Sequence, residues 1–233
     1  MTNNIWKGFK DFIVYDKVQE DEVVTSFYLK AADGTSLPKA IPGQFISVRI
    51  QKGDNEYSRA RQYTLSMDSK EEFYRISVKI EENGDLSKQL CRNIKVGDKI
   101  QATIPMGKFV LKDGNEPVVL IGGGIGITPM IAMAYAAKGT NRQVKLVYST
   151  ANSKYHSFKE ELNKLKNENN IELIQIYTRP LEENKINIDF DVEGRINKEW
   201  IANNLPMNGE FYFCGPIEFM RNIYKSLEEL GVE

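Results

Sequence analysis

The sequence predicts a β plus α/β fold: an N-terminal antiparallel six-stranded β-barrel over residues 1–112, then a doubly wound parallel sheet over 113–233. Two observations carry this. The first half is a series of short β-rich runs separated by turn residues, and from Pro117 onward strand-like and helix-like runs alternate. At 233 residues the chain has room for two domains of ordinary size.

In order, strands are expected at 11–17, 23–30, 44–51, 61–67, 73–80 and 99–105, where β-branched and aromatic residues are bounded by Gly, Pro, Asn and Asp. Between the last two, 86–93 has helical spacing and suits a short helix closing one barrel end. Asp113-Gly114-Asn115 reads as the connection between the halves. Strands then follow at 118–121, 144–148, 171–177 and 211–214, alternating with helices at 130–137, 158–166, 200–203 and 217–230. The last helix places Phe219, Met220, Ile223, Leu227 and Leu230 on one face and stops near Gly231.

Composition excludes several classes. Basic and acidic residues number 31 and 32 and are interleaved, which offers no footprint for nucleic acid. Two cysteines, Cys91 and Cys214, cannot form a disulfide framework or a four-thiolate iron–sulfur site, and they fit a reducing cytoplasm. The N-terminus lacks a long apolar core and the longest apolar run, 118–127, contains four glycines, so neither a signal peptide nor a membrane span is expected. One histidine, His156, rules out multi-histidine metal sites. It precedes Ser157 and Glu160, spaced as a capping box, and reads as structural.

The strongest local signal is Val118-Val119-Leu120-Ile121 running into Gly122-Gly123-Gly124-Ile125-Gly126-Ile127-Thr128-Pro129 and an apolar helix. A strand, a glycine turn and a helix together suit a nucleotide, because glycines let backbone amides and a helix N-terminus approach a pyrophosphate. Thr128 is placed to cap that helix and Pro129 to start it. The loop departs from the ordinary dinucleotide fingerprint, since Pro129 stands for the third glycine and Tyr148-Ser149-Thr150 replaces the usual ribose-binding acid.

Joined to Arg61-Gln62-Tyr63-Thr64, Cys214-Gly215-Pro216, Trp6-Lys7-Gly8, Thr25-Ser26-Phe27-Tyr28-Leu29, Pro42-Gly43-Gln44-Phe45 and Lys95-Val96-Gly97-Asp98, that loop resembles the ferredoxin reductase superfamily. Within it, the chain is most similar to the reductase portion of flavohaemoglobins, over nearly its whole length. The resemblance implies a barrel that binds FAD and a parallel-sheet domain that binds NADPH or NADH. It implies that Arg61 neutralises the flavin pyrophosphate, that Tyr63 packs on the isoalloxazine and that Thr64 hydrogen-bonds the flavin N5. It extends FAD binding to Phe45, Gln62, Val78, Lys79, Gly84, Leu86 and Ser87. Gly123, Gly124, Ile125, Gly126, Thr128, Pro129, Gly215 and Pro216 fall on the dinucleotide, with Cys214 beside the nicotinamide and Thr178 and Arg179 at the adenosine ribose or its 2′-phosphate. Thr64 and Cys214 are the catalytic candidates.

On this family's logic the chain is an NAD(P)H-dependent flavoprotein reductase that passes electrons to a separate acceptor. No globin precedes Trp6, so nitric oxide dioxygenation by this chain alone is not expected. The expected acceptor is a small redox protein: a flavodoxin, a ferredoxin, a haem protein or an iron–sulfur protein. A diaphorase reducing free flavin or ferric complexes, and a non-catalytic nucleotide- or flavin-sensing module, are the alternatives. Relatives continue past the position of Glu233 into a strand and an aromatic tail, which leaves either a more open flavin or a chain cut short.

Overall fold

The computed structural model describes residues 5–232; positions 1–4, part of the segment read above for a signal peptide, lie outside the described residues. The chain divides into two compact units, Met1–Leu111 and Lys112–Glu233.

The first unit contains β1 (Lys10–Gln19), β2 (Val24–Ala31), β3 (Phe45–Arg49), β4 (Gln51–Gly53), β5 (Glu56–Tyr57), β6 (Arg61–Thr64), β7 (Tyr74–Lys79), α1 (Asp85–Asn93) and β8 (Lys99–Ala102). Six strands form one antiparallel sheet in the order β6-β3-β8-β1-β2-β7. Its two edges meet, because Leu65 bridges Ile76 and the Ser66 amide donates to the Arg75 carbonyl at 2.9 Å. A barrel is the result, and closure leaves no open edge along that seam. Alternate residues fill its interior: Phe12 and Val14, Phe27 and Leu29, Ile46 and Val48, Ile76 and Val78, Ile100 and Ala102. Leu86 and Leu90, four apart on α1, join the same core, so the amphipathic 86–93 stretch packs as its spacing requires.

Two features of this unit differ from the sequence reading. The run expected at 44–51 stops as β3 at Arg49, and β4 and β5 form a separate hairpin with Asn55 at φ +59°. Such short strands have no periodicity for sequence reading to detect.

The second unit runs β9 (Val118–Gly123), α2 (Ile127–Ala137), β10 (Val144–Thr150), α3 (Lys159–Lys166), β11 (Ile171–Tyr177), β12 (Val192–Glu193), α4 (Lys198–Asn204), β13 (Glu210–Cys214) and α5 (Ile217–Glu229). All five strands are parallel, in the order β12-β11-β10-β9-β13. Val119 and Ile121 pack on one face with Ile201 of α4 and Ile223 and Leu227 of α5. The intervening Val118 and Leu120 are equally buried on the other face, against which α2 packs. Helices on both faces make the sheet doubly wound.

Residues 112–116 are held in this unit by Arg142, whose guanidinium donates to the carbonyls of Glu116 and Lys112 and pairs with Glu210, each at 2.8 Å. Helix starts also differ from expectation. α2 begins at Ile127 with Gly126 at its N-cap, and Thr128, already inside the helix, donates its hydroxyl to the Ile125 carbonyl at 3.0 Å. α3 begins after Phe158, which sits at the N-cap with φ +60°, so the helix starts one residue later than a cap at Ser157 would place it. Among the described residues no helix is long and apolar enough to cross a membrane.

Candidate functional site

In the first unit, β6 lies against β3 with Val48 opposite Arg61, Ser47 opposite Gln62, Ile46 opposite Tyr63 and Phe45 opposite Thr64. Facing residues share a side, so Arg61 and Tyr63 lie on one face and Gln62 and Thr64 on the other, Thr64 beside Phe45. Arg61 and Gln62 are exposed; Tyr63 and Thr64 are half-buried. Tyr63 packs on the barrel core, and burial pushes its phenol up to about 12, so the ring keeps its proton. Arg61 donates to the Ala60 carbonyl at 3.1 Å, and the rest of its fork is exposed. Phe45 is fixed by a two-way backbone pair with Met106, at 2.9 and 2.8 Å. Gly107, at φ +117°, lies so close that a Cβ there would be 3.0 Å from the Phe45 ring. Sequence reading missed this buttress; the signal was a glycine directly after Pro105-Met106.

The Gly84 to Ser87 segment forms the start of α1, where no side chain caps the helix. The Ser87 hydroxyl accepts from the Glu81 amide at 3.2 Å, and a Cβ on Gly84 would be 2.4 Å from that oxygen. Asp85 accepts from Lys52 of the β4–β5 hairpin at 2.8 Å, a contact sequence reading did not anticipate. Val78 and Leu86 have their side chains in the core, leaving only backbone to meet a ligand, while Lys79 is exposed near Glu81.

In the second unit β9 feeds β10 on one side and pairs with β13 on the other, so the chain reverses its direction of growth at the carboxyl ends of β9 and β13. Ligands of open parallel sheets gather at such a switch point. Cys214 lies opposite Gly122 there. A Cβ on Gly126 would be 2.3 Å from the Cys214 carbonyl oxygen and 2.6 Å from the Gly215 nitrogen; one on Gly122 would be 2.7 Å from the Ile127 Cα. One on Gly215 would be 2.7 Å from the Phe219 ring, and that ring also lies 3.0 Å from where a Cβ of Gly123 would be. Backbone packing therefore requires Gly122 and Gly126, while Gly123 and Gly215 leave room for the Phe219 ring. Gly124 differs: it sits at φ +53° with open space around it.

Ile125 is half-buried, Thr128 and Pro129 are buried, and Pro216 is exposed at the uncapped start of α5. Burial pushes the Cys214 thiol up despite a hydrogen bond from Gly215, which suits a neutral packing residue. Thr178 and Arg179 follow β11, two strands from β9. Their amides donate to the carbonyls of Thr150 and Ala151, both at 2.9 Å, and the Arg179 side chain is exposed. His156 is structural: it is 3% exposed, its Nδ1 lies 2.7 Å from the Tyr177 hydroxyl, and desolvation lowers its pKa to about 4. Among the described residues no group of three or more His, Cys, Asp or Glu could hold a metal.

Residues 12–111 match the family model of an oxidoreductase FAD-binding domain, and 120–225 that of an oxidoreductase NAD-binding domain. The FAD/NAD-binding domain of a nitric oxide dioxygenase from Vibrio cholerae, described as flavohem-like, superimposes with a TM-score of 0.85 at 34% identity, covering 96% of this chain and 94% of that one. The chain belongs to the flavohaemoglobin-reductase branch of the ferredoxin reductase superfamily. As a member of that branch it is an NAD(P)H-dependent flavoprotein reductase with FAD as its cofactor. A flavohemoprotein of Bacillus cereus is 41% identical across 98% of the chain, and the chain spans 59% of that relative's length. Phthalate dioxygenase reductase, described as transferring electrons from pyridine nucleotides to a [2Fe-2S] centre, aligns with a TM-score of 0.74 at 26% identity, covering 95% of this chain and 64% of that one.

The side chains fit both groups this branch uses. An exposed guanidinium, an uncapped helix start, a half-buried aromatic ring and a strand hydroxyl suit a flavin dinucleotide. The glycine-lined switch point, with two uncapped helix starts, suits a second dinucleotide.

Proposed function

We propose that the chain draws electrons from NADPH or NADH into FAD held by the barrel and passes them to a separate small redox protein carrying haem or an iron–sulfur centre. The observation that carries this is the pairing in one chain of the β6 strand, Arg61 to Thr64, with the Gly126–Cys214 switch point. FAD, when bound, supplies the chemistry, taking hydride at N5 and releasing electrons singly. Arg61 offers a planar fork of donors to the flavin diphosphate, and Tyr63, kept protonated, offers a ring face with a polar tip. Thr64, beside Phe45, presents a hydroxyl that orients N5 without carrying a proton away. The amides of the 122–126 loop and the starts of α2 and α5 take the dinucleotide phosphates. Cys214 keeps water from the nicotinamide as a neutral thiol. The exposed Arg179 guanidinium supports NADPH over NADH, because a 2′-phosphate gives it a partner.

Anaerobic titration of the FAD-loaded protein with NADPH and with NADH tests the first half: bleaching of the flavin band is expected with at least one donor, and bleaching by neither removes the reading. Acceptor choice is tested by kcat/KM. A small haem or iron–sulfur protein should exceed ferric chelates and free flavin; equal values would make the chain a diaphorase.

A further inference from the structure

The β4–β5 hairpin, unforeseen in the sequence, is tied to α1 by the 2.8 Å pair between Lys52 Nζ and Asp85 Oδ2. Asp85 opens the first turn of a nine-residue helix that no side chain caps, and its other oxygen accepts from Gln89 at 2.6 Å. The carboxylate is held below its usual range by the hydrogen bond from Lys52, then that from Gln89, with the charges of Lys52 and Arg61 adding to this. One cation and a helix start thus meet at this carboxylate. Both partners are substantially exposed, at 35% and 64%, and exposed pairs contribute little to stability. The fold does not need this pair, and an exchangeable counter-ion would look the same.

We propose that Lys52 is a second cationic contact for the FAD diphosphate, and that Asp85 is an internal competitor whose carboxylate holds Lys52 when the cofactor is absent. The inference rests on the reading of Arg61 given above. A diphosphate carries two negative charges at neutral pH; bringing it to the start of α1 sets it against Asp85 and in favour of Lys52. Removing the carboxylate has two consequences of the same sign, since it frees Lys52 and removes a like charge. Removing Lys52 loses an attractive charge and leaves Asp85 unopposed.

The test is titration of the flavin-depleted full chain with FAD, followed by calorimetry, for the wild type, Asp85→Asn, Lys52→Gln, the double variant and Arg61→Ala, at low and high salt. Melting of each flavin-free protein is recorded alongside. Asp85→Asn should tighten FAD binding roughly fivefold and Lys52→Gln should weaken it by about as much, with unchanged melting and with both effects shrinking as salt rises. In the double variant the loss from Lys52→Gln should be larger than in the presence of Asp85, because without the carboxylate Lys52 breaks no pair to meet the diphosphate. Weaker or unchanged binding by Asp85→Asn overturns the competitor role, and unchanged binding by Lys52→Gln overturns the contact. A wild type that takes up no FAD, or an Arg61→Ala variant that binds as the wild type does, overturns the underlying reading instead.

Discussion

The two units build their candidate sites from different materials. In the barrel, the contacts proposed for β6 are side chains on a strand whose backbone is already paired with β3, so Arg61 and Thr64 can change without disturbing a neighbour's main chain. In the parallel-sheet unit, the proposed contacts are mainly backbone, and two of the glycines that expose it, Gly122 and Gly126, are packed against other backbone at distances no Cβ tolerates. Ligand binding and folding are therefore separable in the first unit and inseparable in the second.

The change that most directly strains this contrast is Gly126→Ala. Its Cβ would collide with the Cys214 carbonyl, so the 122–126 loop must move away from β13, at a cost of roughly 3 kcal/mol or more. Loss of nicotinamide-driven flavin reduction and a lowered melting temperature are expected together, with FAD still bound; normal melting would show that the loop is looser than drawn. Acid should also act on the sheet unit. His156 titrates at about 4 when folded against an ordinary 6.5, so the unfolded chain binds more protons between these values. The stability His156 confers is complete above about pH 6.5 and drains as pH falls towards 4, on the order of 3 kcal/mol in all. Urea unfolding at several pH values should show this slope, and His156→Gln should flatten it.

On the barrel side, Arg61→Ala should weaken FAD binding by about thirtyfold to a hundredfold, as expected for a lost charge-assisted pair, with melting of the flavin-free protein unchanged. A fall in melting temperature would blur the contrast. Thr64→Ala should retain FAD and slow reduction by NAD(P)H roughly tenfold to a hundredfold in stopped-flow traces. The smallest effect sharpens the comparison inside one loop. Gly124→Ala meets no neighbour and faces only its positive φ, a strain of about 1 kcal/mol, so it should melt close to the wild type where Gly126→Ala does not.

Much of this architecture was legible because its elements carry local signals. Val118-Val119-Leu120-Ile121 is buried on both faces and reads as a parallel strand, and Leu86 and Leu90 announce the inner side of α1. What escaped is set by contacts distant in sequence. β12 is a strand only because Val192 pairs with Ile176, and α3 starts where Phe158 turns left-handed rather than where Ser157 offers a cap. For the site, the glycine loop stood out, yet its main constraint, contact with Cys214 and Gly215, joins segments far apart in the chain. Arg61, Tyr63 and Thr64 look like ordinary strand residues, and only family resemblance singled them out. Lys52 and Asp85 are 33 positions apart, and neither carries a signal by itself.

The switch point is made from the first and last strands of its unit, β9 and β13, with every other strand of that sheet formed from the chain between them. During synthesis the barrel emerges first, and domains fold as units in order of appearance. On the function proposed above, flavin capture would precede completion of the second site, which has one wall until residue 214 has been made and has docked. A chain lacking β13 would then have no complete site for the electron donor, whatever its barrel binds.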